Sequence, residues 1–298
     1  PAKGVNFYTL AQPMVDADEA SPVAQQGPRF VRRDRCLACH AGRSSIEVPG
    51  LLLRAFQTDK TGKPLQGFSR QTHEMEYSKR WGGWYVQGLP TGFEHRGNLI
   101  SSDDNERHRR EAGFRSSIKS LSEIFDAGRY LADSSTIVAH LVFTHQMHGL
   151  NLISRVGMEE RLGRRSDAEK QLVRYLVFAD EPPLPQPLLP VESRSAQGYI
   201  EWFERQSATD SEGRSLRQFD LRNRTFRYRL SYLIEHAAFQ QLPTAARERI
   251  YRRLWTGLTE SESRSGSEPA LFGHLLVEER QAILEIVADT IHDLPDVW

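Results

Sequence analysis

The sequence predicts a mainly α-helical fold, in which an irregular, loop-rich N-terminal part packs against a multi-helix C-terminal part. Two observations carry this. From about residue 117 onward, apolar residues recur at helical spacing in several separate runs. Before that point, glycine and proline punctuate the chain at TGKP, RWGG, LPTG and HRGN, and long apolar periods are missing. The division is drawn as residues 1–116 and 117–298, expected to form one continuous globular unit. No internal repeat is visible.

In the first part, short strands are expected at residues 50–57 and 84–87. The charged run SSDDNERHRREAG, residues 101–113, reads as a solvated surface loop. In the second part, helices are expected at residues 117–131, 135–156, 167–178, 195–205, 226–239, 244–258 and 277–291. The Ser/Thr-rich start of the second of these suits an N-cap, because a hydroxyl oxygen can accept from a free backbone N–H of the first turn. EPPLPQPLLP, residues 181–190, cannot be helical and is expected as an extended connector. SESRSGSEP, residues 261–269, reads as a loop.

Composition narrows the function classes. With 298 residues, 39% of them hydrophobic and 26% charged, the chain can bury a core without covalent staples. Lys+Arg 39 balances Asp+Glu 39, which leaves no basic footprint for nucleic acid and no polybasic membrane patch. No run approaches 18 apolar residues, so no membrane span is expected. PAKGVNFYTLAQP at the start lacks the charged-then-apolar pattern of a signal peptide. The chain opens on proline, and removal of an upstream leader is the expectation.

The segment Cys36-Leu37-Ala38-Cys39-His40 contains the two cysteines of the whole sequence. Four chemistries compete for it. A structural disulfide would close one short loop and add little to a chain this long. A thioredoxin-like redox pair opens a helix after a core strand, and GPRFVRRDR ahead of it is a poor core strand. A zinc site needs two more ligands, and neither a second CxxC nor an HxxxH follows nearby. Covalent haem c requires the spacing found here. Each thiol adds to one porphyrin vinyl group, the two attachment points lie one helical turn apart, and the next histidine is carried under the iron.

In these residues the chain resembles the c-type cytochromes. The resemblance implies one covalent haem c, with Cys36 and Cys39 as attachment points and His40 as the proximal iron ligand. It also implies a periplasmic or exported location, because attachment takes place outside the bacterial cytoplasm. The likeness to small carriers stops at the motif. Those are far shorter and commonly use a late methionine as second ligand, whereas Met14, Met75, Met147 and Met158 sit in no evident ligand loop. More widely, FYTL, CLACH with its following VPG, RWGGWYV, HRGN and the HQMH helix are similar to a group of large single-haem proteins of uncharacterised activity. That likeness covers most of the chain and implies no reaction.

The second iron ligand is sought among ten histidines. On a helical wheel of the HQMH helix, started at Ile137, His148 falls near about 20° and His145 near about 80°, on the apolar half, while His140 falls near about 300° on the polar side. A buried imidazole needs a partner: either iron or a hydrogen bond. His148 is the first choice, beside Gly149, which is expected to clear space for a flat ring. His145 follows, then His95 in its glycine-flanked EHRGN loop and His73. His236 is a further candidate, and His108 reads as solvated.

Trp81, Trp84 and Tyr85 surround two glycines. A core aromatic cluster is the plainer reading, and a haem-pocket wall is the functional one. Arg80, Arg96 and Arg43 are candidate partners for the haem propionates.

Two functions follow. The first is electron transfer through the haem to a redox partner protein, which asks for a six-coordinate iron. The second is a haem oxidoreductase or small-ligand binder, peroxidase-like or gas-binding, with a small-molecule ligand at an open distal position. The chain length favours the second, and the absence of a further catalytic motif favours the first, which is preferred. A third arrangement would use His95, His145 and His148 to hold a non-haem metal.

Overall fold

The structure, a computed structural model, describes residues 4–12, 28–98 and 118–298, less residues 60, 62, 66, 119, 165, 190–192 and 261–270. The loops expected at 101–113 and 261–269 lie outside the described residues. The fold is mainly helical, 42% against 7% strand, with a loop-rich N-terminal part and the helices concentrated after it.

The N-terminal part holds two small antiparallel pairs. In the first, β1 (Tyr8–Ala11) runs against β2 (Arg29–Arg32), with Leu10 opposite Phe30. Both strands are largely exposed, as the arginine-rich GPRFVRRDR suggested. In the second, β3 (Arg54–Ala55) pairs with β4 (Ser69–Arg70). The strand expected at 50–57 shrinks to these two residues. The stretch 84–87 is not a strand but touches one in spirit: Gln87 makes an isolated parallel bridge to Thr136. Between the pairs, α1 (Leu37–His40) follows a single 3-10 turn, Asp34–Cys36.

The C-terminal part is organised around α2 (Ile137–Arg161), 25 residues and therefore about 38 Å long. Its first turn is capped by Thr136, whose hydroxyl accepts from the Ala139 N–H. Around it stand α3 (Ala168–Leu176), α4 (Arg194–Glu204), α5 (Ala237–Gln240), α6 (Thr244–Thr259) and α7 (Val277–Thr290). Residues 181–189 form no regular structure, as their prolines require.

Two expected helices are absent. Residues 120–131 form 3-10 turns at Leu121–Glu123 and Ala127–Arg129, with Asp126 and Gly128 interrupting any continuous period. Residues 226–239 form a loop with a 3-10 turn at Tyr232–Ile234 before the short α5. In that loop Phe226, Tyr228 and Leu230 are buried while Arg227 is exposed, a period of two that no helix satisfies.

α2 is buried on more than one side because two cores meet on it. The larger core gathers Val142, Leu152, Leu176, Leu233, Ile250 and Ile283. The smaller one packs Ile137, Val138 and Leu141 against Tyr77, Trp81 and Phe93 of the N-terminal part. Among the described residues no helix is long and apolar enough to cross a membrane.

Candidate functional site

The CLACH turn presents both thiols uncombined, Cys36 half-buried and Cys39 exposed. His40 ends the same turn. Its Nδ1 lies 3.1 Å from the Gly50 carbonyl oxygen, which can only accept, so Nδ1 carries the proton and donates. The lone pair of the neutral ring is thereby placed on Nε2. The Gly50 N–H returns a bond to the His40 carbonyl at 2.8 Å, and the Ser45 hydroxyl donates to the same oxygen at 3.0 Å. The Phe7 ring sits against the imidazole, 4.4 Å between centroids. A cavity of about 340 Å³ opens beside this turn, lined by Val5, Phe7, Arg33, Asp34, Leu37 and Pro49 among others.

What fixes this loop is Asn151 on α2. Its side-chain amide donates to the Leu51 carbonyl and accepts from the Leu51 N–H, both at 2.8 Å. This reciprocal pair reproduces the bonding of a neighbouring strand with one side chain. Gly50 lies directly against the Asn151 amide, so a Cβ there would collide with it. Asn151 is 2% exposed, although at helical spacing it shares a side of α2 with His140, which the helical wheel put on the polar side. The burial of α2 by two cores explains the difference. The same applies to His140, which is buried and hydrogen-bonds through Nε2 to Ser135 Oγ at 2.8 Å and the Tyr85 carbonyl at 3.1 Å. Sequence reasoning missed Asn151 because a buried amide within a helix is indistinguishable from an exposed one until its partner loop is known.

His148 lies one turn before Asn151 on α2, about 4.5 Å along the axis. Its Nδ1 is sealed from solvent without a partner, and the residue as a whole is 7% exposed. Burial is the first cause that pushes its pKa down to about 3, followed by the charge of Arg70. The expected ligand atom is thus held neutral and within one helical turn of the residue that anchors the His40 loop. Gly149, however, does not clear room for a ring from outside. A Cβ on it would strike Leu233 and crowd Tyr175, so it serves close packing of α2.

His145 has no free nitrogen to offer. Nδ1 bonds His73 Nδ1 at 2.7 Å and Nε2 bonds Ser231 Oγ at 2.6 Å. It is a partnered core histidine, stacked on Tyr175 and Phe178, and burial pushes its pKa down to about 3. His73 is buried with it, its pKa well below the usual value chiefly through burial, and its Nε2 is left without a partner. His95 lies apart from these, 6.2 Å from Trp81 between ring centroids, with both nitrogens sealed and unpartnered and its pKa pushed down by burial to about 4. The trio His95, His145 and His148 is therefore not assembled. Among the described residues, no group of three or more His, Cys, Asp or Glu side chains is gathered to hold a metal ion.

The aromatic segment divides. Trp81 is fully buried beside Tyr77 and Phe93 as part of the smaller core. Trp84 donates its indole N–H to the Arg54 carbonyl at 2.9 Å, and the Tyr85 ring tilts against Phe125. Arg80 is 1% exposed and spends its donors on the Met75 and His73 carbonyls, which removes it from the candidates for propionates. Arg96 and Arg43 remain exposed. His236 caps α5, its Nδ1 accepting from the Ala238 N–H.

The chain matches no protein-family model, no curated protein and no solved structure.

Proposed function

We propose that this chain is an exported monohaem c-type cytochrome that passes electrons to a redox partner protein through one covalently bound haem c. The observation that carries the reading is the state of the CLACH turn. Two uncombined thiols share a helical turn with an imidazole whose Nδ1 is committed to the Gly50 carbonyl, which leaves Nε2 free to bind a metal. These residues fit the group: each thiol can add across one vinyl C=C, its proton passing to the neighbouring carbon, and His40 can then take an axial position. When bound, the haem supplies a one-electron Fe(III)/Fe(II) couple. His148 is the residue that would supply the second iron ligand, because it is a neutral ring with an unpartnered nitrogen, one helical turn from the Asn151 that clamps the His40 loop. Two imidazoles favour a low-spin iron that resists exogenous ligands, which suits electron transfer. His40 and His148 would hold the iron, and Asn151 clamps Leu51 beside the Gly50 that bonds His40.

A haem oxidoreductase or small-ligand binder is the second reading. The unpartnered nitrogens of His73 and His95 favour it, since buried donors without partners are suited to a small polar ligand.

The deciding experiment is haem staining after acid–acetone extraction and a pyridine haemochrome spectrum on protein matured in a periplasmic expression host, followed by ferric and ferrous spectra with and without carbon monoxide. Extractable haem, or none, rejects the cytochrome. A high-spin iron that binds carbon monoxide readily rejects the carrier in favour of the second reading.

A further inference from the structure

We infer that Arg54 and Arg70 form a paired carboxylate site that holds the two propionate groups of the haem. This rests on the haem reading above. In the β3–β4 pair the two arginines stand directly opposite one another, so their side chains project from the same face as immediate cross-strand neighbours. Like charges in that position repel, and a fold keeps them together at a cost unless an anion lies between them. Among the described residues neither forms an ion pair, whereas arginines elsewhere, such as Arg214, Arg229 and Arg249, are each clamped by carboxylates.

The two guanidinium groups are also prepared for binding. The Arg54 guanidinium carbon lies over the Phe68 ring, 3.9 Å from its centroid. Its Nε is sealed from solvent without a partner, a donor that a carboxylate oxygen would satisfy. Arg70 is exposed and free to close over a ligand. Among the described residues Arg70 forms no hydrogen bond with Glu74, which accepts from the Thr72 hydroxyl at 3.3 Å.

Position connects this pair to the His40 loop. Arg54 follows Leu51, which Asn151 clamps, by three residues, about 10 Å of extended chain. Gly50, next to Leu51, holds His40. Of the arginines near the motif, Arg32 bonds Asp34 and Arg33 bonds Thr9, while Arg35 and Arg43 are exposed. Arg is suited to this task because its planar fork meets a carboxylate through two parallel bonds.

The test uses the holoprotein and the variants Arg70→Gln, Arg70→Lys and Arg54→Gln/Arg70→Gln, with spectroelectrochemical titration across about pH 5 to 9. Loss of the guanidinium charges disfavours the electron-rich ferrous state and raises the propionate pKa values. The expected result is a lower midpoint potential in Arg70→Gln, a larger fall in the double variant, and a new pH dependence near neutrality. Arg70→Lys should restore most of the potential. Arg70 is exposed on a two-residue strand, so its substitution leaves the fold intact, and circular dichroism checks this. An unchanged potential and pH profile in haem-stained Arg70→Gln and double-variant protein overturns the assignment while leaving the cytochrome standing. A wild-type potential that moves with added inorganic phosphate, and variants that lose that response, would assign the pair to free anions instead. Absence of haem stain in the wild type rejects the cytochrome and this assignment together.

Discussion

His73 and His145 share a hydrogen bond between their Nδ1 atoms at 2.7 Å, with their rings nearly parallel and stacked on Tyr175 and Phe178. One ring must donate and the other accept, so the bond is complete with both rings neutral. Burial enforces that neutrality, pushing His145 down to about 3 and His73 well below the usual range.

Stability should therefore fall with acidification. The unfolded chain takes up a proton on each histidine as pH drops through about 6.5, while the folded chain does not until about 3 for His145 and about 4 for His140. Between those limits the unfolded state binds more protons. The contribution is fully present above pH 6.5 and is lost on descent, by about 1.4 kcal/mol per pH unit for each such histidine. Urea unfolding midpoints at pH 8, 6 and 5 should decline in that order. His145→Gln should shallow the slope by about one proton. A midpoint that holds constant or rises toward pH 5 would contradict the buried neutral pair.

His145→Ala and His148→Ala should part company. The first removes two hydrogen bonds and opens a cavity, at a cost of about 3 kcal/mol, and on the proposed haem reading leaves the iron low-spin. The second removes a ring whose Nδ1 is already unpartnered, so the loss should be smaller, about 1 kcal/mol, and on the same reading the iron turns high-spin. Thermal melts and visible spectra of both variants decide it. If His148→Ala stays six-coordinate and low-spin, the proposed axial role passes to His95 or His73.

Helical spacing announced α2, α3, α4, α6 and α7 to within a few residues, because each has one continuous apolar period and α2 has a hydroxyl cap at Thr136. The loop at 226–236 was not legible as a loop. Phe226, Tyr228 and Leu230 are spaced for an extended chain, and that period of two was overridden by their bulk and number. Within the candidate site, Cys36, Cys39 and His40 stand out in the sequence because they are contiguous, and their haem chemistry is a proposal. Asn151, His73 with His145, and Arg54 with Arg70 do not stand out, since each acts through a partner between 16 and 100 residues away.

Gly50→Ala and Asn151→Ala should loosen the same loop by opposite means. The first adds a methyl group against the Asn151 amide, and the second deletes the amide that pairs with Leu51. Each should lower stability by about 2 kcal/mol, from overpacking or from two unsatisfied buried backbone groups. Both should also disturb the His40 environment, visible as a shifted Soret band or new carbon monoxide binding. Wild-type spectra and melting temperature in both variants would refute the clamp.

The Asn151 clamp also sets an order of events during synthesis. It joins positions 100 residues apart, so the whole stretch from residue 51 to residue 151 must have emerged before it can close. Until then the CLACH segment has no partner from α2 and remains an accessible, thiol-bearing stretch of nascent polypeptide. Long-range closure of this kind is slow relative to local helix formation. The interval is a window in which a modifying enzyme can reach both cysteines from any direction, and it shuts when α2 docks.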